Sequence, residues 1–344
     1  MWPMSRSPLP RRLLPALTLA AGLLLTSCSD PPPPAPEPTG AQLERAWRIA
    51  VGSDPLDQTI AELYAQALNA HDVPAVAVED EDDESTALAV ALVQQESEQS
   101  TSEVDDDDRY EVVVARTAQL AEALDAEGYS QLTVPREEDD LGPAEAPGGL
   151  TELIDAQLQQ AELMEPGAAV ARSAMLITTA TEAELELEAE DDASIGDLAA
   201  DCAELTLGVR SGLTNVEDLL EEAYDCSPAD VVFDDEDALI SALITAEIDA
   251  ALITESHPGA EEHALTPLAD SRRAFPHNQY APLVASRVAE DMPPVVDEIS
   301  AALDEDALLM LRRLIAGDRA LSPPDAAEYW LVENEFVAQP EDWG

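Results

Sequence analysis

Short apolar segments alternate with longer amphipathic segments over most of this chain, and this alternation constrains the fold more than any other feature. Residues 47–52 are predicted to form a strand, and residues 59–70 carry apolar side chains at helical spacing. Strands that alternate with helices are typical of an α/β fold with crossover helices. The other predicted strands are 73–78, 110–114, 174–178, 205–209, 231–233, 250–253 and 283–284. The other predicted helices are 117–127, 149–160, 216–224, 236–246, 294–303, 305–316 and 324–333.

The N-terminal segment, residues 1–27, is predicted to be a lipoprotein signal peptide. Three arginines precede an apolar run from residue 13 to residue 25, which ends at Leu25-Thr26-Ser27-Cys28. A run of about 13 residues is too short for a membrane span, which needs roughly 20. We therefore expect cleavage before Cys28 and attachment of lipid to that cysteine. Residues 28–40 are rich in proline and are predicted to form an extended, unpacked tether.

The charge of the chain limits its partners. The net charge of -57 arises from 73 acidic and 16 basic residues, and every basic residue is arginine. Such an excess of carboxylates excludes nucleic acid as a partner and predicts a solvated acidic surface suited to high salt or high pH.

The chain has three cysteines, and Cys28 is predicted to carry lipid in an oxidising compartment. The other two, Cys202 and Cys226, are therefore predicted to form a disulfide, the alternative being two buried free thiols.

No pattern of catalytic residues is present in the sequence. The chain lacks a G-x-S-x-G motif, a glycine-rich phosphate loop and an H-E-x-x-H motif, so neither an enzyme nor a cofactor is predicted. A cluster of acids and histidines at residues 255–263 fits no metal-ligand spacing, and Pro258-Gly259 predicts a surface turn there.

Tyr64 and Tyr224 lie on helix faces and are predicted to be core residues.

Several segments, in order, resemble the glycine betaine/choline-type solute-binding family. Val51-Gly52-Ser53-Asp54 and the helix at residues 60–68 are similar to the opening strand and helix of that family. Further similar segments follow at 194–198, 205–208, 242–250, 275–284 and 303–331, so that the resemblance spans roughly residues 47–337. It implies the two-lobed periplasmic-binding-protein fold of type II, with a ligand cleft between the lobes. The implied first lobe comprises residues 41–166 plus 268–344, and the second comprises residues 167–267.

The resemblance also implies a function. Such proteins are extracytoplasmic receptors of ABC importers, here a lipoprotein anchored in the membrane, that bind glycine betaine or choline-like compatible solutes and deliver them to permease subunits. The family binds the quaternary ammonium group in a cage of aromatic rings. In this sequence Arg116, followed by Thr117, stands where the family usually has a cage tyrosine. Arg172 and Ser173 stand just before the first strand of the second lobe, where the family usually has an acid or an amide.

These departures leave alternatives open. A guanidinium repels a trimethylammonium group and pairs with a carboxylate, so the ligand is zwitterionic or anionic, an amino acid for example, if both arginines face the cleft. Each arginine could instead pair with the abundant carboxylates of the protein. A surface or sensory lipoprotein that transports nothing is a further alternative. The remaining ligand-binding residues implied by the resemblance are Asp54, Gln58, Thr254, Glu255, Asn278 and Tyr280, where Tyr280 is either a cage residue or a buried structural one.

Overall fold

The computed structural model describes residues 31–34, 37–80, 84–98, 109–133, 149–185, 187, 193–213, 215–255, 257–316 and 319–340. The predicted signal peptide and Cys28 lie outside the described residues. None of the helices within the described part of the chain has the length and hydropathy needed to cross a bilayer.

The described strands form two five-stranded sheets, one in each lobe. In chain order the strands are β1 (Trp47–Val51), β2 (Ala75–Glu79), β3 (Val112–Arg116), β4 (Ala161–Leu163), β5 (Ser173–Ile177), β6 (Thr206–Arg210), β7 (Asp230–Asp234), β8 (Ala250–Thr254), β9 (Thr266–Leu268) and β10 (Tyr280–Ala285). The first sheet has the order β2-β1-β3-β10-β4 and the second the order β7-β6-β8-β5-β9. In each sheet the strand that arrives from the other lobe, β10 or β5, is antiparallel to its neighbours, whereas the other described pairs are parallel.

Helices cover both faces of each sheet. They are α1 (Pro55–Ala70), α2 (Ser85–Glu98), α3 (Thr117–Leu124), α4 (Ala126–Leu132), α5 (Leu150–Asp155), α6 (Thr179–Glu184), α7 (Val216–Tyr224), α8 (Glu236–Ile244), α9 (Pro258–Glu262), α10 (Ser286–Ala289), α11 (Val295–Ala302), α12 (Glu305–Ile315) and α13 (Pro323–Glu333). Short 3-10 helices occupy Leu43–Arg45, Ile195–Leu198 and Cys202–Glu204. Because both faces are covered, the central strands are buried throughout, which explains their nearly continuous apolar sequences.

The first lobe has one core on each face of its sheet. On one face α1, α11, α12 and α13 enclose Tyr64 and Trp330, and the Tyr64 hydroxyl lies 3.0 Å from the Ser300 hydroxyl. On the other face α2, α3 and α5 bury Leu92 and Leu120. The second lobe repeats this arrangement, with Tyr224 and the α7 side in one core and α8 in the other. The prediction that Tyr64 and Tyr224 are core residues is confirmed, since they are 1% and 3% exposed.

Two chain segments cross between the lobes. One leads from β4 to β5 and the other from β9 to β10. They pair with each other at Ala171 and Asn278, whose backbone N–H and C=O groups exchange two hydrogen bonds of 2.6 and 2.9 Å. Paired crossing segments of this kind form a hinge between two otherwise separate cores.

The fold class and the disulfide are as predicted. The α/β alternation holds, every predicted strand overlaps an observed one, and Cys202 is bonded to Cys226 within the second lobe. The lobe boundaries given above stay a prediction. The sequence patterns missed β4, β9, α2, α6 and α10. The predicted turn at residues 258–259 was wrong, because Pro258 instead begins the short helix α9.

The prediction of an unpacked tether was wrong in part. The Pro32 carbonyl accepts a hydrogen bond from the Ala338 N–H, and Pro38 is buried.

Candidate functional site

A cavity of about 520 Å³ lies between the two lobes. Its walls come mainly from the carboxyl ends of strands: Asp54 follows β1, Arg116 ends β3, Arg210 ends β6 and Thr254 ends β8. This is the edge at which open α/β sheets bind ligands. Other lining residues are Gly52, Ser53, Asp57, Glu84, Ser85, Gln119, Arg172, Asp235, Glu236, Asp237, His257, Asn278, Tyr280 and Arg312.

Arg116 is held in the first-lobe wall by two aspartates. Its Nη2 donates to the Asp57 carboxylate at 2.6 Å and to that of Asp54 at 2.7 Å, and its Nε also donates to Asp57. The second Asp57 oxygen accepts from the Ser85 hydroxyl at 2.7 Å, and Ser85 in turn accepts from the Gly52 N–H. Burial opposes the charged guanidinium, but the neighbouring carboxylates outweigh burial and raise the pKa of Arg116. Arg116 therefore stays charged, and its charge is largely neutralised within the wall.

Asp54 has two roles at the start of α1. Its Oδ1 accepts hydrogen bonds from the backbone N–H groups of Leu56 and Asp57 and so caps the helix, while Pro55 occupies the first helical turn. Its Oδ2 accepts from Arg116. Burial opposes ionisation, yet the charges of Arg116 and Arg312 and these hydrogen bonds lower the pKa of Asp54 from 3.8 to about 2.

The lowered pKa of Asp54 predicts a pH dependence of stability. A carboxyl whose pKa is lower in the folded than in the unfolded state stabilises the fold above its unfolded pKa, and this stabilisation is lost as the pH falls from about 4 towards 2. The effect is modest because 44% of the side chain is exposed. We expect the stability difference between wild type and Asp54→Asn to shrink over that range in urea melts. Asparagine keeps the helix cap, so a difference that does not change with pH would contradict this assignment.

Glu236 is the acid at the centre of the second-lobe wall. It is the first residue of α8, and its Oε1 accepts from the Thr254 N–H at 2.8 Å and from the Thr254 hydroxyl at 2.6 Å. Its Oε2 accepts from Nη1 of Arg312, which comes from α12 of the first lobe, at 3.2 Å. Burial opposes its ionisation, but Arg312 and Arg210 outweigh burial and lower the pKa of Glu236. The Arg312–Glu236 pair thus crosses the cleft.

One member of the cluster of acids and histidines at residues 255–263 lies in the cavity wall. His257 lines the cavity, its Nδ1 accepts a hydrogen bond from the Gly259 N–H, and its Nε2 lies 3.5 Å from Asp237. Burial lowers the pKa of His257, which favours the neutral imidazole. Within the described ranges, no group of three or more His, Cys, Asp or Glu side chains is arranged to hold a metal ion.

Aromatic side chains are scarce in the cavity wall. Tyr280 is the one tyrosine, tryptophan or phenylalanine among the described lining residues. It is buried, which raises the pKa of its phenol, and the Arg116 guanidinium lies 5.7 Å from its ring centroid. A protein cation therefore occupies a face of this ring, and a cage of several rings around a ligand cation is not present among the described residues.

The predicted ligand-binding residues divide into two groups. Asp54, Arg116, Arg172, Asn278 and Tyr280 line the cavity, as does Thr254. Asn278 also fixes the wall, since its side-chain oxygen accepts from the N–H groups of Ala118 and Gln119 at the start of α3.

The other four predicted residues lie outside the lining. Gln58 donates to the Gly52 carbonyl, and the Thr117 hydroxyl accepts from the Gln279 N–H in the crossing segment. Ser173 is buried without a hydrogen-bond partner for its hydroxyl. Glu255 forms an ion pair of 2.7 Å with Arg172, which also donates to Glu305. Whether these four contact a ligand stays a prediction.

Seven charged residues of the wall were missed at the sequence level: Asp57, Glu84, Arg210, Asp235, Glu236, Asp237 and Arg312. The sequence could have indicated Asp57 and Arg210 as wall residues, because Asp57 lies in the first helical turn after β1 and Arg210 ends β6. The sequence gives no such indication for Arg312. It lies in the middle of an amphipathic helix, where the only pattern is the spacing of the apolar residues. Only tertiary packing brings it to the cavity.

The family is decided by comparison with a family model. Residues 48–333 match the model described as the substrate binding domain of an ABC-type glycine betaine transport system. The chain belongs to this family. Its members are extracytoplasmic substrate-binding proteins of ABC importers, which bind small solutes and partner with permease subunits. Among curated proteins, none matches this chain.

Solved structures show the same two-lobed fold. A glycine betaine/carnitine/choline ABC transporter structure has a TM-score of 0.61 and 15% sequence identity, over 85% of this chain and 98% of that one. Apo YehZ from Escherichia coli has a TM-score of 0.58 and 16% identity, over 85% and 99%. A choline-binding protein in complex with choline has a TM-score of 0.53 and 16% identity, over 83% and 88%. At these identities the likeness concerns the fold alone.

Proposed function

We propose that this protein is the solute receptor of an ABC importer, anchored by lipid at Cys28 on the outer face of the cell membrane, and that it is not an enzyme. The observation that carries the proposal is the cavity of about 520 Å³ at the strand ends of two hinged lobes. A cavity of this size suits a small molecule, and hinge closure over it would sequester the solute for delivery to a permease.

The ligand is a small zwitterionic or anionic solute. Glycine betaine, which carries both a carboxylate and a quaternary ammonium group, fits this description, and choline, which lacks the carboxylate, does not. The support is the composition of the wall: four arginines line the cavity, at positions 116, 172, 210 and 312, whereas Tyr280 is the one described aromatic ring apart from His257. A bare cation would find a single tyrosine ring in this wall, with the Arg116 guanidinium already 5.7 Å from its centroid, and so too little aromatic surface for a cage.

A thermal-shift screen of the mature domain in high salt tests this proposal. The panel comprises glycine betaine, choline, carnitine, proline, ectoine and small carboxylates. A ligand that binds only the folded state raises the melting temperature in proportion to the logarithm of its concentration over its Kd. We expect a rise with at least one carboxylate-bearing solute and none with choline.

Two other outcomes would change the proposal. A larger shift with choline than with every carboxylate-bearing solute would restore the choline-like ligand that the family resemblance also allows. No shift with any solute of the panel, in a domain that unfolds cooperatively, would favour a surface or sensory lipoprotein without a transport role.

A further inference from the structure

Arg116 lies at the point of the cavity wall where three groups suited to a positive charge meet. The carboxylates of Asp54 and Asp57 accept its hydrogen bonds, and its guanidinium lies over the Tyr280 ring at 5.7 Å from the centroid. Carboxylates and aromatic faces are the groups with which proteins bind organic cations. The arginine side chain lines the cavity and is partly exposed, so the position that it fills adjoins the space open to a solute.

These three groups are held in place by contacts that do not involve Arg116. The Asp54 carboxylate accepts from backbone N–H groups at the start of α1, and the Asp57 carboxylate accepts from the Ser85 hydroxyl. The Tyr280 ring is buried, and its strand β10 pairs with β3 so that Tyr280 lies directly opposite Arg116. This part of the wall would therefore keep its shape without the guanidinium, and it would then offer two carboxylates and a ring face to the cavity.

The charge of Arg116 decides how this part of the wall acts on a charged solute. The guanidinium is paired with both aspartates, and the charge of Arg312 also acts on Asp54. A solute cation that approached the Tyr280 ring would meet a like charge there, which is unfavourable at short range. If the guanidinium were absent, the same carboxylates and ring would attract a cation, and partial burial would strengthen that attraction.

We propose that Arg116 is a built-in cation, which fills a cation-binding position in the cavity wall and thereby determines which solutes the cavity accepts. The position is formed by Asp54, Asp57 and Tyr280. This inference rests on the proposed function, because it concerns the specificity of the same cavity. An organic cation such as choline is excluded because its position is occupied by the protein, and not because the position is absent.

The test measures the binding of choline to the mature domain by calorimetry, for wild type and Arg116→Ala. A neutral isostere of choline, 3,3-dimethyl-1-butanol, has carbon in place of the ammonium nitrogen and reports on shape without charge. The matched control is Arg287→Ala, since Arg287 is a partly exposed arginine paired with Glu111 and outside the cavity lining. We expect choline to bind Arg116→Ala at least tenfold more tightly than it binds wild type or the control. The isostere should bind all three proteins weakly and alike.

A second variant allows for a loss of stability in the first. Arg116→Ala leaves the buried Asp57 carboxylate without its guanidinium, so we expect it to melt below wild type. Choline should restore part of this loss when the ionic strength is held constant with sodium chloride. Combining Arg116→Ala with Asp57→Asn removes the buried charge and keeps Asp54 and Tyr280. This double variant should bind choline more tightly than wild type does and less tightly than Arg116→Ala.

Each contrary result has a distinct meaning. If neither variant binds choline more tightly than wild type does, Arg116 is a structural arginine and the inference is overturned, while the receptor function stands. Equal gains for choline and its isostere would also overturn the inference, because they would report on space and not on charge. If Arg116→Ala does not fold, the double variant decides: a gain for choline alone supports the assignment, and no gain contradicts it.

A failure of the receptor function would look different. Wild type would then respond to no solute of the thermal-shift panel, although it unfolds cooperatively. A gain of choline binding by Arg116→Ala in that case would still show that Arg116 fills a cation position, in a cavity that serves another purpose.

Discussion

Replacing Asp57 with alanine is expected to lower the free energy of unfolding by about 3–5 kcal/mol, because it leaves a buried guanidinium without its main partner. Asp57 is 3% exposed and accepts from both Nε and Nη2 of Arg116, whose side chain is 14% exposed. After the substitution Arg116 keeps only Asp54, which is more exposed and already caps α1. The Ser85 hydroxyl also loses its acceptor. Urea denaturation followed by circular dichroism measures the loss.

Two control variants separate charge from packing in this cluster. Asp57→Asn keeps the size and one acceptor oxygen, so we expect a smaller loss than for alanine. Combining Asp57→Ala with Arg116→Met removes both charges, and the double variant should be more stable than Asp57→Ala alone because no unpaired charge remains buried. If the two single losses simply add in the double variant, the pair does not act as a unit and the physical argument is wrong.

The sequence predicted the fold well because burial on both faces leaves a strong pattern. The central strands β3, β8 and β10 are buried along nearly their whole length, so their apolar runs stand out between helices. The missed strands, β4 and β9, have three residues each, too few to show a period. Helix α2 was missed because alanine makes up much of its apolar face, which weakens the helical pattern.

The candidate site was predicted less completely, and the reason is tertiary. Asp54, Arg116 and Thr254 stand at strand ends, so their place in the cavity follows from the fold. The pairing of Arg116 with Asp57 depends on where the first turn of α1 lies against the end of β3. Arg312 reaches Glu236 from a helix that belongs to the other lobe. No pattern in the linear sequence encodes a contact between residues 76 positions apart, so the charge balance of the cavity required the structure.

Removing the disulfide is expected to destabilise the second lobe by about 3–4 kcal/mol on the chain-entropy estimate. Cys202 and Cys226 are separated by 24 positions and are both 2% exposed, packed among Leu205, Leu207 and Tyr224. The bond joins the 3-10 helix that precedes β6 to the segment that follows α7. A Cys202→Ala/Cys226→Ala variant avoids the difficulty of reducing a buried bond. Its urea midpoint should be lower than that of wild type, and reductant should not change it further.

The same variant tests whether the lobes unfold independently. Both cysteines lie in the second lobe, whereas the core around Tyr64 and Trp330 belongs to the first. We expect tryptophan fluorescence, which among the described residues reports on Trp47 and Trp330 of the first-lobe core, to change at higher urea than the circular dichroism change of the second lobe. Binding should be lost with the earlier transition, because Arg210 and Glu236 stand on the destabilised lobe. Coincident transitions would mean that the crossing segments and the pair between Glu236 and Arg312 couple the lobes strongly enough to unfold as one unit.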